Sequence, residues 1–342
     1  MTADATPMAG RPGGTIPLTG LEGGNPLSFL AALGVLDVCD RAGLDVRLSW
    51  TDDLVPTAVL HGSASVDQVL DRLDDDRALW AGSAVLTGPP DHPLTDAKPS
   101  RAVLREWAEM VGAVLRPPIT GGTAQQDLFT ALVAEGATDT TGRGTAKPTH
   151  LHFSAGQQQF LRLARDLAST VDRNAISNAL TGPWTPDPAA KTFGWNAGGE
   201  RVFAFRATDP SSEKRPGFPG PDWLAFRGLV FLPVSTRQGR DALALTTTGC
   251  EVGWKTSSFR WPLWASPIGA EEARSLIGSV VPQPTRHRGH PGSLARRDMD
   301  ELTARGVTRI LRAPISRSDQ GGYGSFGGAD RELEVTAAVR EP

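Results

Sequence analysis

The sequence predicts an α+β fold: a mixed single large domain with a helix-rich N-terminal half and a strand-rich C-terminal half. Three observations carry that expectation. Apolar residues recur at helical spacing in one segment after another up to about residue 182. Beyond the Pro-rich stretch at 183–190 the period shortens, and aromatic and β-branched runs take over. No long flexible linker divides the halves, so residues 16–182 and 183–342 are expected to pack as one unit behind a flexible tail at 1–15.

Taken in order, the alternation from Ile16 to Leu21 predicts a short strand. Gly23, Gly24, Asn25 and Pro26 then form a structural turn that starts a helix. An Asn side chain caps the first free N–H groups, and Pro fits the first helical position because its missing N–H would be unpaired there. The helix runs from Pro26 to about Arg41, apolar on nearly every face, and Gly43 ends it. Ala31, Ala32 and Gly34 predict close approach by another backbone.

Strands are expected at 44–48 and 55–60, around a Thr51-Asp52-Asp53 turn. An acidic helix at 65–79 is expected to turn Val66, Val69, Leu70, Leu73 and Leu79 inward. A loop at 86–100 precedes helices at 101–115 and 125–134. Residues 136–149 are turn formers and read as a polar loop. A short strand from Leu151 feeds a helix to Thr170, and another helix spans 172–180. In the second half, strands are expected at 192–196, 201–205, 223–231, 242–247, 255–261 and 307–312, with an edge strand at 333–339. Helices are expected at 269–280 and 293–305.

Composition narrows the function classes. A chain of 342 residues with 39% hydrophobic and 21% charged residues buries a real core. Gly (38) and Pro (27) are abundant without a period, which predicts shaped loops and not repeats. A formal charge of −3 gives no global support for a nucleic-acid binder, but a local patch can act within a near-neutral whole. Cys39 and Cys250 have no CxxC or nearby His, so neither a disulfide framework nor structural zinc is expected. The chain lacks a signal-peptide pattern and any apolar run of about eighteen residues, which predicts a cytoplasmic protein with no membrane contact.

Five features are candidates for chemistry. The Gly20–Asn25 turn exposes backbone N–H groups at a helix start. Its spacing is neither the dinucleotide fingerprint nor a P-loop, and Glu22 would repel phosphate, so it reads as structural. His150 and His152 would share one face of a strand, but no third ligand for a metal lies near. Gln157, Gln158 and Gln159 head a basic helix whose Arg162 and Arg165 predict a surface that tracks a phosphate backbone. The aromatic and Arg-rich middle, from Trp195 to Trp264, reads mainly as core.

The fifth feature is the basic stretch from Arg286 to Arg317. It holds eight arginines against three acids, a local charge of +5. Arg286, Arg288, Arg296, Arg297, Arg309, Arg312 and Arg317 are the candidate phosphate contacts, with Tyr323 in the following Gly-rich loop placed to stack on a base. No GxSxG or HExxH pattern marks a conventional enzyme. The alternatives are a hydrolase or transferase using Asp209, His150 and His152 with a distant acid, and a protein-interaction scaffold.

The segments LTGLEGGNPLSFLAALGVLDVC, LHFSAGQQQFL, FAFRATDPSS, DWLAFRGLVFLPV and RGVTRILRAPISRSDQGGYGSF span most of the chain. Together they resemble accessory and large-subunit-like proteins of type I-G CRISPR systems, including the Cas3-extension group. The resemblance implies a non-catalytic component of an interference system, contributing nucleic-acid or effector-complex binding without a cofactor. The implied partners are effector subunits or a Cas3-type nuclease, and RNA or DNA. The chain is short for a full large subunit and lacks helicase motifs, which leaves its particular role in that system open.

Overall fold

Strand β1 (Gly14–Glu22) leads into helix α1 (Pro26–Arg41) through the expected turn. The Asn25 side chain accepts from Leu27 N at 3.1 Å, and Pro26 occupies the first turn. The helix ends at Ala42, followed by Gly43 at φ +74. A Cβ on Gly23 would lie 2.8 Å from Leu263 Cδ1 and 2.9 Å from Trp50, so only glycine lets the turn sit on the core.

The computed structural model describes residues 14–114, 123–139, 144–154, 159–197, 216–239, 243–251, 257–280, 296–317 and 324–334. Most of the expected tail, the expected strand at 201–205 and the end of the expected edge strand lie outside them. β2 (Val46–Trp50) and β3 (Thr57–Gly62) form an antiparallel sheet with β1 in the order β1-β3-β2. Helices α2 (Val66–Trp80), α3 (Ala84–Thr87), α4 (Arg101–Val114) and α5 (Ala124–Leu132) follow. Ser65 and Thr123 each close a capping box with the Gln three residues on, which satisfies two end groups at the start of α2 and of α5. Val69, Leu70 and Leu73 of α2 are buried as expected, but Val66 and Leu79 are exposed.

The expected loop at 136–149 instead contributes a hairpin of β4 (Val133–Thr138) and β5 (Ala146–Pro148). α6 (Phe160–Thr170) and α7 (Arg173–Thr181) complete the helix-rich half. Where a strand was expected from Leu151, the described residues 149–154 run as an irregular segment.

The expected strand at 223–231 is a helix, α8 (Pro219–Gly228), continued by a 3-10 turn at Leu229–Phe231. Burial explains the difference: every residue from Gly220 to Gly228 is buried, Asp222 and Arg227 included, so no polar face alternates with an apolar one and there is no period to read. α8 lies directly on α1. A Cβ on Gly34 would come 2.0 Å from Leu224 O, and one on Gly228 2.0 Å from Leu30 O, so the two backbones touch where both helices lack side chains. The expected strand at 192–196 is likewise irregular.

In the second half β6 (Val234–Gln238) pairs with β7 (Leu243–Thr247). β8 (Cys250–Glu251), β9 (Ser257–Trp264), β10 (Val307–Arg317) and β11 (Gly324–Phe326) form a sheet in the order β11-β10-β9-β8, and β12 (Asp330–Glu334) also pairs with β10. Helices α9 (Ala270–Val280) and α10 (Arg296–Ala304) lie between β9 and β10. The protein is thus a single mixed α+β domain, its helices α1–α7 concentrated in the N-terminal half and its strands β6–β12 in the C-terminal half.

The two halves share one core. Phe29 of α1 packs against Trp50, Trp261, Trp264 and Phe259 with ring centroids 5.9–6.4 Å apart. Trp264 donates to Leu48 O at 2.7 Å, across the halves. A second aromatic group joins Phe160, Phe193, Trp195 and Phe226. Each such ring removed from water stabilises the fold by about 2–3 kcal/mol. The described aromatics of the middle segment are therefore core, with Trp223, Phe226, Phe231, Phe259, Trp261 and Trp264 all buried.

One buried ionic network crosses the same interface. Asp37 of α1 accepts from Arg41 Nε at 2.9 Å, Arg274 at 2.6 Å and Arg227 at 3.3 Å. Arg227 is fully buried, reaches Asp76 at 2.8 Å and lies over the Trp80 ring. Asp76, on the acidic helix α2, is a partner of this buried arginine. Asp222 of α8 is buried, has no cationic partner among the described residues, and accepts from Thr192 Oγ1, Phe193 N and Phe218 N. Burial pushes its carboxyl up to about 7 despite those three donors.

Candidate anion site

The irregular segment at 149–154 is held on every side. Thr149 N donates to Leu132 O at 2.7 Å, Trp195 Nε1 to Leu151 O at 2.9 Å, and Gly324 N to Phe153 O at 3.1 Å. His150 N donates to Thr247 Oγ1 at 3.0 Å, and its Nδ1 lies 2.8 Å from the same hydroxyl. Arg317, at the end of β10, donates to His150 O at 2.7 Å and to His152 O at 3.2 Å, with its guanidinium over the Phe153 ring. The segment is thereby pinned between α5, β7 and the β10–β11 pair.

A cavity of about 380 Å³ opens beside it, lined by Lys98, Lys147, His150, His152, Arg237 and Arg317 together with parts of β5 and β7. Its chemistry is cationic. Lys147 projects from β5, Arg237 from β6 opposite Ala244, and Arg317 from the end of β10. Among the described residues neither Lys147 nor Arg237 has a hydrogen-bond or ion-pair partner. Arg317 gives N–H groups to neutral carbonyls, and no acid among the described residues pairs with its charge.

The acid beside this cavity is already engaged. His152 Nε2 lies 2.5 Å from Asp96 Oδ1, and Lys98 Nζ lies 3.9 Å from Asp96 Oδ2. Burial alone would raise the Asp96 carboxyl. The hydrogen bond and charge of His152, then Lys98 and the Ala97 N–H, outweigh burial and hold it below the usual carboxylate range. His150 moves the other way for a base. Burial first, then the charges of Arg317, Arg237 and Lys147, lower it to about 4, so it is neutral at pH 7.

Each histidine has one ring nitrogen engaged within the fold. His152 is almost fully buried, its ring stacks on Phe160 at 4.9 Å and its Nε2 is committed to Asp96. The His150 Nδ1 is committed to Thr247. The two histidines share a cavity, as same-face placement implied, though on an irregular segment and not a strand. Asp209, their partner in the hydrolase reading, lies outside the described residues. Among the described residues no group of three His, Cys, Asp or Glu side chains is placed to hold a metal, and no helix is long and apolar enough to cross a membrane.

The other sequence candidates fall in different places. Arg162 is exposed on α6. Arg165 turns inward and donates to Leu94 O at 2.8 Å and to Leu86 O. Arg309 is buried and donates to Asp53 O at 2.9 Å, with Asp52 at 3.5 Å. Arg312 donates to Ser258 Oγ at 3.0 Å. These last three tie elements of the fold together. Arg296 and Arg297 begin α10, while Arg286, Arg288 and Tyr323 lie outside the described residues. Gly23, Gly24, Asn25 and Pro26 serve the turn, where Asn25 Nδ2 also donates to Asn196 Oδ1 at 2.8 Å. The sequence candidates thus contribute His150, His152 and Arg317 to the cavity, while Lys98, Lys147 and Arg237 were not among them.

No protein-family model matches the chain, and no curated protein matches it.

Proposed function

We propose that the chain is a non-catalytic component of a CRISPR interference system that contributes nucleic-acid binding to an effector complex. The sequence resemblance supplies the system, and the cationic cavity supplies the activity. The observation that carries the reading is the meeting of Lys147, Arg237 and Arg317 at one cavity with no acid paired to them among the described residues. Three like charges held together raise the energy of the fold, and an anion relieves that cost. Phosphate is the anion that lysine and arginine hold best, and nucleic acid presents it repeatedly. The near-complete burial of His152 and its Nε2 contact with Asp96 take that ring out of reach of a substrate, which supports holding over hydrolysis.

The test is fluorescence anisotropy of the purified chain with single-stranded RNA, single-stranded DNA and duplex DNA, together with co-expression with the effector subunits of a type I-G system. The reading expects salt-sensitive binding to at least one nucleic acid and co-purification with the effector complex. Absence of binding at low salt, alone and in the presence of the effector subunits, would overturn it.

A further inference from the structure

We infer that the cavity selects a phosphate monoester, the terminal phosphate of a strand, over the internal phosphodiesters of a backbone. The inference rests on reading the cavity as the phosphate site of a nucleic-acid-binding subunit, and it names the part of the strand that enters.

Charge is the first argument. Asp96 is offset by Lys98 and engaged by His152, so the cavity keeps the three charges of Lys147, Arg237 and Arg317. An internal phosphodiester carries about one negative charge. A terminal phosphate carries about −1.5 to −2 at pH 7 and offers three acceptor oxygens. The dianion therefore matches the surplus better, and each further charge-assisted hydrogen bond favours it again.

Shape is the second argument. Backbone tracking uses cations strung along an open groove. Here the cations come from β5, β6 and β10 and converge on a cavity of about 380 Å³, the size of one small ligand. Its wall is fixed by Arg317 on the His150 and His152 carbonyls and by Thr247 on His150, so that wall and the Arg317 charge are in place before the ligand arrives.

Neutral His150 is the third. Its Nδ1 and backbone N–H both meet Thr247 Oγ1, which leaves the ring edge bearing Nε2 without a partner among the described residues. A nearby dianion would favour the protonated ring, and the imidazole would become a fourth cation at the site. Occupancy is thus readable at a single residue.

The experiment uses the full chain and one single-stranded oligonucleotide sequence with either a terminal phosphate or a terminal hydroxyl, followed by anisotropy, with inorganic phosphate as competitor. The His150 ring is followed by NMR in parallel. The phosphorylated strand is expected to bind about tenfold tighter, the value of one charge-assisted hydrogen bond. Inorganic phosphate is expected to erase that difference and to raise the His150 pKa. Lys147→Ala/Arg237→Ala is expected to erase it too, while Arg72→Ala, an exposed charge on α2, leaves it intact.

Equal, salt-sensitive binding of both strands would overturn the inference and leave the nucleic-acid reading standing. Binding of neither strand, with inorganic phosphate still raising the His150 pKa, would support the monoester site and overturn the nucleic-acid reading. No binding and no change at His150 would overturn both.

Discussion

Arg317 donates to the backbone carbonyl of His150 at 2.7 Å, across 167 positions of sequence. One side chain thereby fixes the wall of the cavity and contributes charge to it. Arg317→Ala is expected to cost about 2 kcal/mol of stability, the scale of hydrogen bonds from a charged donor to two carbonyls. It should also weaken binding to nucleic acid. Arg317→Lys keeps the charge but loses the planar fork, so binding should suffer less than stability. Denaturant unfolding beside anisotropy separates the two effects.

The His150 imidazole offers a local gauge of the cavity's field. Its folded value of about 4 lies below the ordinary 6.5, through burial and then through Arg317, Arg237 and Lys147. Between these values the unfolded chain binds the proton and the folded chain does not. His150 therefore makes stability fall as pH drops from 6.5 towards 4, with no such penalty above 6.5. Removing Lys147 and Arg237 should raise the His150 pKa in an NMR titration and reduce that loss. An unchanged titration would place those charges too far away to act.

Gly34 and Gly228 mark a backbone-to-backbone contact between α1 and α8. Gly34→Ala would drive a methyl to 2.0 Å from Leu224 O, beyond the reach of side-chain adjustment. The expected loss is about 3 kcal/mol, at the upper end for overpacking, measurable as a lower urea midpoint with little change in slope. Gly24→Ala, where nothing lies within 4 Å of the added atom, is the matched control and should cost far less.

Arg309 and Arg317 sit on one strand with different duties. Arg309 is 7% exposed and reaches the β2–β3 turn through Asp53 O. Arg309→Ala should lower stability by about 1–3 kcal/mol, the cost of an orphaned buried acceptor. It should leave the salt dependence of nucleic-acid binding unchanged. A reduced salt slope with unaltered stability would show Arg309 to be a phosphate contact after all.

Local rules carried the fold where the determinants are local. Asn25, Pro26 and Gly43 bound α1 through capping chemistry that needs only neighbouring residues. The reading failed where burial is complete, as in α8, whose buried run carries no period. It also failed at β4–β5, where Gly, Ala and Thr lack the bulk that marks a strand. The cavity was hardest to see, because Lys98, Lys147, Arg237 and Arg317 span 98–317 and meet only in three dimensions. The dense run at 286–317 drew attention by its local charge, yet Arg309 and Arg312 of that run are spent on internal bonds. A signal was present: lysine occurs five times in the chain, and Lys98 and Lys147 both line the cavity.

The most direct test of the anion site is the slope of log affinity against log salt for wild type and for Lys147→Ala/Arg237→Ala, measured with the nucleic acid that binds best. Each phosphate contact contributes about 0.7–0.9 to that slope. The variant is predicted to flatten it by about 1.5 while unfolding at a denaturant midpoint no lower than wild type, since among the described residues neither side chain has a partner to lose and their mutual repulsion is relieved. An unchanged slope in the variant would contradict the account and remove the cavity from the binding surface.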